Sequence, residues 1–390
     1  MNVIDGQAGL VRYSSLICYS PTINNILNII ILLILAGISI STLTNTGIFQ
    51  KAKDAKQKSE DAELDQNTKL DEYENELDKY LPKKLVDKVN DGTIKVGDYI
   101  SYTPDGASTE NILQELETYS GSKNKNTTST LTQEIDKETG LKWRVLDVKD
   151  GKVRLISDRP TTSIITLSGA KGYNNAVYLL DKTCKTLYNN SKLVSNIQNL
   201  KIEDIQDHLT YDYKQYLNSN VDTGKYGGTR EYTLSSYRNY PNIFAKDRTG
   251  WIDGKQGTEL DLSEQTEPIN ETKTKAGASI KIIQTYWYKI MSTNDFDGEN
   301  KEMYYKLFIN NGEKNYNTYW MSSRCVNANS DNAGFNVRYV NSGYVGSGGL
   351  YYSSDYGIPN SFAFRPVITL NSNVQVISGD GSEGIPFEIK

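Results

Sequence analysis

A single histidine, His208, stands in 390 residues. One imidazole cannot build a multi-histidine metal centre, and a Ser-His-Asp triad would have to rest on this one residue. It sits in the polar run EDIQDHL, where a surface helix position is the expected role. Cysteine is almost as scarce: Cys18, Cys184 and Cys325 are scattered, with no CxxC pair. That spacing excludes a zinc ribbon and a disulfide scaffold. Basic excess is also lacking. The 43 Lys and Arg face 48 Asp and Glu, a formal charge of −5, so nucleic acid has no electrostatic footprint here. Phenylalanine is sparse as well, with 8 residues against 28 tyrosines. Tyrosine joins a large apolar face to a polar tip, which suits contact surfaces. The length allows one to three domains and an ample core.

Long apolar runs are equally rare, and the strongest is Ile26–Leu43, ILNIIILLILAGISISTL. Its centre is uncharged, but Asn28, Ser39, Ser41 and Thr42 place it near the lower limit for a spanning helix. A single transmembrane helix over 26–45 is the expectation; a signal peptide and a buried or interfacial helix are the competitors. Residues 1–25 form an atypical start with Arg12 as their one basic residue. Residues 46–82 read as a charged stalk helix ended by Pro82. Ala52, Ala55, Ser59 and Ala62, and then Leu70, Tyr73, Leu77 and Tyr80, recur at steps of three and four. The alternative is a solvated helix lying on the following domain.

The stretch IIILLILAGISISTLTNTGIFQKAKDAKQKSEDAE (29–63) resembles the N-terminal helix of pilin-like proteins of Gram-positive bacteria. The resemblance implies a membrane anchor, a large domain outside the cell, and assembly with pilin-like subunits. No Lys-Gly or Arg-Gly pair precedes the apolar helix, so prepilin-type processing is not implied. The charge pattern points the other way. Lys51, Lys53, Lys56 and Lys58 follow the apolar run closely, which by the positive-inside rule would keep the domain inside.

From about residue 84 the pattern becomes that of a folded α+β domain. GTIKVGDYISYTPD (92–105) reads as a strand pair, and the polar stretch 120–140 as a surface loop. LKWRVLDVKDGKVRLISDRP (141–160) alternates around Asp150-Gly151, a hairpin signal. Val177, Leu180, Cys184 and Leu187 recur at helical spacing. Residues 205–280 are polar and loop-rich, while 280–291, 303–309 (MYYKLFI) and 364–377 have strand character. The ordered segments WRVLDV, DGKVRLIS, YWMSSRC and FRPVITL resemble a bacterial C-type-lectin-like domain of the formylglycine-generating-enzyme group. That resemblance implies a C-type-lectin-like domain with a mixed antiparallel sheet over 84–378, leaving 379–390 as a C-terminal tail. The closing SGDGSEGIPFEIK (378–390) resembles a short terminal motif of Gram-positive surface proteins, which implies an outward orientation.

One segment is compositionally distinct. Between Cys325 and Phe364, Asn, Ser, Gly, Tyr and Asp supply 25 of 40 residues; Lys and Glu are absent, and Arg338 is the one cation. Such a mixture resembles a paratope, where tyrosine gives rigid contact area and Ser, Gly and Asn adapt their hydrogen bonds. Low-complexity flexibility is the competing reading, against which Val326, Phe335, Val337, Val340, Val345 and Leu350 would anchor the segment to a core. Its place between YWMSSRC and FRPVITL also resembles the variable region of proteins diversified by retroelements through adenine-directed mutagenesis. That resemblance implies a displayed, ligand-binding set: Asn329, Asp331, Asn332, Asn336, Tyr339, Asn341, Tyr344, Tyr351, Tyr352, Asp355 and Tyr356. Val337, Tyr339, Val340 and Asn341 are expected to separate a display face from a core face by strand period.

Chemistry finds little support. Ile358-Pro359-Asn360 lacks the acid or amide that starts the sugar-binding tripeptide of calcium lectins, and Asp331 and Asp355 are too few to specify calcium. VGSGGL (345–350) is followed by no phosphate-loop lysine. Glu203 and Asp204 form an acid pair tied to no nucleophile. A Cys184–Cys325 disulfide stays open. The sequence therefore predicts no cofactor, no metal and no enzymatic activity. It predicts a membrane-anchored, surface-displayed protein whose ligand is a protein or glycan on another cell, a phage or a host. The rival expectation is a structural minor pilin or pseudopilin subunit.

Overall fold

The structure is a computed structural model that describes residues 45–80, 83–106, 108–121, 133–135, 140–210, 229–233, 238–240, 250–252, 255–256, 265–268, 272–274, 279–283, 290, 292–312, 317–328, 333–341, 343–352 and 356–390. The chain divides into two compact units between Tyr80 and Leu81. In the first, helix α1 (Asn45–Tyr80) spans 36 residues. Every side chain from Lys51 to Leu70 is exposed, including the alanines of the expected stripe. Local pairs such as Lys69 with Asp65 at 2.7 Å and Lys56 with Glu60 at 3.6 Å run along its surface. Among the described residues no helix is long and apolar enough to cross a membrane. The apolar run 26–43 and the segment 1–25 lie outside the described residues.

The second unit is mixed α+β. It begins with helix α2 (Leu85–Asn90), strand β1 (Tyr99–Ser101) and helix α3 (Glu110–Tyr119). The expected strand pair over 92–105 is thus one strand, preceded by turns through Gly92 and Gly97, both at positive φ. Strands β2 (Trp143–Lys149) and β3 (Lys152–Ser157) form the expected hairpin. Asp150 (φ 51°) and Gly151 (φ 68°) both adopt the left-handed conformation that a tight two-residue turn demands. Strand β4 (Ile165–Leu167) leads into helix α4 (Gly169–Tyr188), which buries Val177, Leu180, Cys184 and Leu187 at the predicted spacing. Strand β5 (Val194–Asn199) and helix α5 (Ile202–Gln206) follow.

In the polar middle region, β6 (Thr229–Thr233), β11 (Ser279–Ile283), β8 (Gly250–Ile252) and β9 (Lys255–Gln256) make one small antiparallel sheet. Strands β7 (Arg238–Tyr240) and β10 (Thr272–Thr274) make another. MYYKLFI does not form the expected strand. It belongs to helix α6 (Lys301–Phe308), which buries Tyr304, Leu307 and Phe308 at helical spacing. Glu302 in its first turn and Lys306 in its last complement the helix dipole, so packing and end charges outweigh the β preference of Tyr and Phe.

The C-terminal third supplies β12 (Tyr319–Ala328), β13 (Ala333–Asn341), β14 (Tyr344–Tyr352), β15 (Tyr356–Gly357), β16 (Asn360–Phe362), β17 (Pro366–Leu370), β18 (Val376–Ser378) and β19 (Phe387–Ile389). The large sheet has the order β18-β19-β1-β2-β3-β17-β5 and is antiparallel except where β19 lies parallel to β1. Residues 379–390 are therefore no tail. Gly379 and Gly381, at φ 100° and 79°, turn the chain back, and Phe387 is buried as β19 enters the sheet. A second antiparallel sheet runs β12-β13-β14-β15. Helix α4 packs against β5 of the large sheet and against β12 and β14 of the second, and so joins the two.

Buried polar groups fasten this junction. The Asn199 carboxamide donates to the Trp320 carbonyl at 2.9 Å and accepts from the Arg365 amide at 2.7 Å. Its own backbone N–H donates to Asp181 Oδ1 at 2.9 Å. One residue thereby links β5, β12, the entry to β17 and α4. Cys184 and Cys325 are both buried and unbridged, so the disulfide left open by the sequence does not form.

Candidate recognition site

Most described residues of 319–362 lie in paired antiparallel strands, with register shifts between Trp320 and Arg324 and between Phe335 and Asn336. Phe335, Val337, Val340, Val345 and Leu350 are all buried. Between Phe335 and Arg338, both faces of β13 are covered: Phe335 and Val337 on one side, Asn336 and Arg338 on the other. The expected division into a display face and a core face does not hold there, because α4 packs on one side of the sheet, while Val340 and Val345 on the other share a buried cluster with Leu200, Phe308 and Ile309.

Two of the expected contact residues are consequently internal. Asn336 is 4 % exposed and its carboxamide donates to Ser347 Oγ at 3.4 Å. Tyr351 is 6 % exposed, with its ring 6.0 Å from that of Phe335. Tyr352 and Tyr356 stand opposite each other across β14 and β15. Asn329, Asp331, Asn332 and Asp355 lie outside the described residues.

Tyr339, Asn341 and Tyr344 are brought together at the β13–β14 turn, and all three are half-buried. The Tyr339 ring lies 6.3 Å from that of Tyr344 and 5.1 Å from that of Phe362. Phe362 in turn lies 4.5 Å from Trp320, which is fully buried and donates its indole N–H to the Ile165 carbonyl at 2.8 Å. A graded aromatic cluster thus runs from core to surface. Asn341 holds its polar margin: its Oδ1 accepts from Thr318 Oγ1 at 3.1 Å, and its Nδ2 donates to Tyr344 Oη at 3.4 Å.

Two glycines admit these rings. A Cβ on Gly346 would meet the Tyr339 ring at 2.8 Å, and one on Gly348 would meet Trp320 at 3.2 Å. The glycines of β14 therefore leave room for the Tyr339 ring of β13 and the Trp320 ring of β12. Burial, with some help from the hydrogen bond to Tyr344, raises the Tyr339 phenol to about 12. Tyr344 moves the opposite way, because hydrogen bonds from Tyr339 and Asn341 favour its phenolate. Chemically the cluster offers flat apolar area, two phenols and a carboxamide, all fixed from behind. Phe362, Thr318 and Trp320 are members that the compositional argument passed over. The alternation in NSFAF and the aromatic pair Tyr319-Trp320 were the available signals.

The isolated histidine has a different role from the expected surface one. His208 follows α5 and its side chain is 13 % exposed. Its Nε2 lies 3.0 Å from Asp147 Oδ2, and its ring stacks at 4.0 Å on Tyr304. Asp147 and Asp204 both pair with the buried Arg154 guanidinium. Burial opposes ionisation of Asp147, yet its bonds to Arg154 and His208 outweigh that and hold the carboxyl below its usual range. The acid pair is split: Asp204 serves Arg154, while burial raises Glu203. This network ties β2 and β3 to α5 and α6. Among the described residues no group of three His, Cys, Asp or Glu side chains is placed to hold a metal ion.

Comparison with protein-family models, with curated proteins and with solved structures finds no match to this chain.

Proposed function

We propose that this chain is a surface-displayed recognition protein, anchored by the apolar run 26–43, whose lectin-like second unit binds a protein or glycan ligand at the Tyr339, Asn341 and Tyr344 cluster. The observation that carries the reading is the aromatic gradient from buried Trp320 through Phe362 and Tyr339 to half-buried Tyr344. Aromatic anchors fixed by a core and edged by adaptable amides are what noncovalent recognition uses. Flow cytometry of the labelled chain on bacterial and host cells tests it. Wild-type staining that a Tyr339→Ala/Tyr344→Ala variant of equal melting temperature loses supports recognition. Equal staining by both proteins rejects it. The diversification reading rests on composition and is tested separately at the coding locus. It requires a DNA repeat matching the codons of 325–364 but differing at adenines.

A second reading draws on α1. Leu64, Leu70 and Tyr73 are exposed at 69, 51 and 73 %, on a helix long enough to pack beside copies of itself. A pilin-like subunit would bury them in a filament. Electron microscopy of cell-surface fractions should then find the chain in filaments whether or not residues 339–344 are intact.

A further inference from the structure

A groove of about 1010 Å³ lies along α4 and β5, lined by other residues than the Tyr339 cluster. Its floor and walls include Tyr178, Asp181, Lys185, Asn196, Gln198 and Lys201, and the segment around Gln265 closes one side. That segment is docked on α4. The Gln265 carboxamide accepts from the Tyr178 backbone N–H at 3.2 Å and donates to Asn175 Oδ1 at 3.4 Å. The volume is at the upper end of the range of small-ligand sites.

The charges of the lining balance: three carboxylates (Asp105, Asp181, Glu267) against three ammonium groups (Lys182, Lys185, Lys201). Most are already engaged. Lys182 pairs with Glu115, Lys201 Nζ lies 3.7 Å from Asp181 Oδ2, and Asp105 accepts from the Ser191 N–H at 2.8 Å. Lys185 and Glu267, one of each sign and both exposed, are left to face a ligand. An anion would find no net positive field in such a groove. A neutral ligand dense in hydroxyl groups would find donors and acceptors on several sides, since ammonium groups only donate, carboxylates only accept, and amides do both.

We propose that this groove is a second ligand site, and that it takes a short neutral oligosaccharide. It is independent of the recognition cluster at Tyr339 and Tyr344. Hydroxyl groups would bridge Lys185, Asn196 and the Asp181–Lys201 pair, with the ligand lying along α4.

The test uses the full chain on an array of short neutral oligosaccharides of hexoses and N-acetylhexosamines, with calorimetry of any hit and inorganic phosphate as the anionic probe. The Lys185→Ala/Asn196→Ala variant removes two exposed side chains and should melt as the wild type does. At least about a tenfold loss of affinity is expected from removing two hydrogen-bonded contacts. Tyr339→Ala should bind the same sugar unchanged. Binding of phosphate without any neutral sugar overturns the proposal, as does failure of every sugar to bind. A sugar lost on Tyr339→Ala but retained by the groove variant assigns it to the recognition cluster and also overturns this site.

Discussion

Asp181 offers the sharpest test of the packing around α4. Its Oδ1 accepts from Ser322 Oγ at 2.6 Å and from the Asn199 N–H at 2.9 Å, while Oδ2 faces Lys201 at 3.7 Å. Burial dominates these favourable contacts and raises the carboxyl from 3.8 to about 6. A folded-state pKa above the unfolded one means that the native protein holds the proton more tightly. Stability therefore falls as pH rises through the window from about 4 to about 6, and the full cost of ionised Asp181 is present above it. Two units at about 1.4 kcal/mol each amount to about 3 kcal/mol. Asp181→Asn removes the titration while leaving an oxygen to accept from Ser322 and Asn199. Urea unfolding, followed by fluorescence of the buried Trp143 and Trp320, should be run on both proteins between about pH 4 and 8. The difference in unfolding free energy, wild type minus variant, should fall by about 2.5 kcal/mol across that range, since part of the change already occurs below about pH 4. Whatever constant offset follows from losing the Lys201 attraction does not affect this slope. Parallel curves would refute the account of Asp181.

Other perturbations probe separate parts of the structure. Arg154→Met leaves Asp147 and Asp204 buried without their cation, and thermal unfolding should report a loss of about 3–5 kcal/mol. Asn199→Ala strips buried partners from the Trp320 carbonyl and the Arg365 amide and should cost about 2–4 kcal/mol by chemical denaturation. Gly346→Ala forces the Tyr339 ring off β14; a loss of about 1–3 kcal/mol is expected, with shifted Tyr339 and Phe362 resonances in the NMR spectrum.

The sequence was most informative where one local rule governed the outcome. Asp150-Gly151 announced its hairpin because few residues other than Asn, Asp and Gly tolerate two successive positive φ angles. Helix α4 was visible because its apolar residues face one core. MYYKLFI misled because aromatic residues favour strands by burial, and α6 buries them equally well as a helix. Residues 379–390 looked like a tail since Phe387 and Ile389 are few apolar signals among Gly and Ser, and their parallel partner β1 lies nearly 300 residues away. The candidate cluster was legible only in part. Composition found the segment, and Tyr339, Asn341 and Tyr344 do meet there. It could not tell that Asn336 and Tyr351 point into packed layers, because both sides of β13 are covered by elements remote in sequence.

We propose that Tyr339 and Tyr344 form a contact surface fixed by the core behind it. Its most direct test is the dissociation constant of the full chain on cells that it stains, compared between wild type and Tyr344→Ala. An aromatic anchor contributes about 2 kcal/mol or more, so Kd should rise about thirtyfold while the melting temperature stays the same. An unchanged Kd would contradict the account.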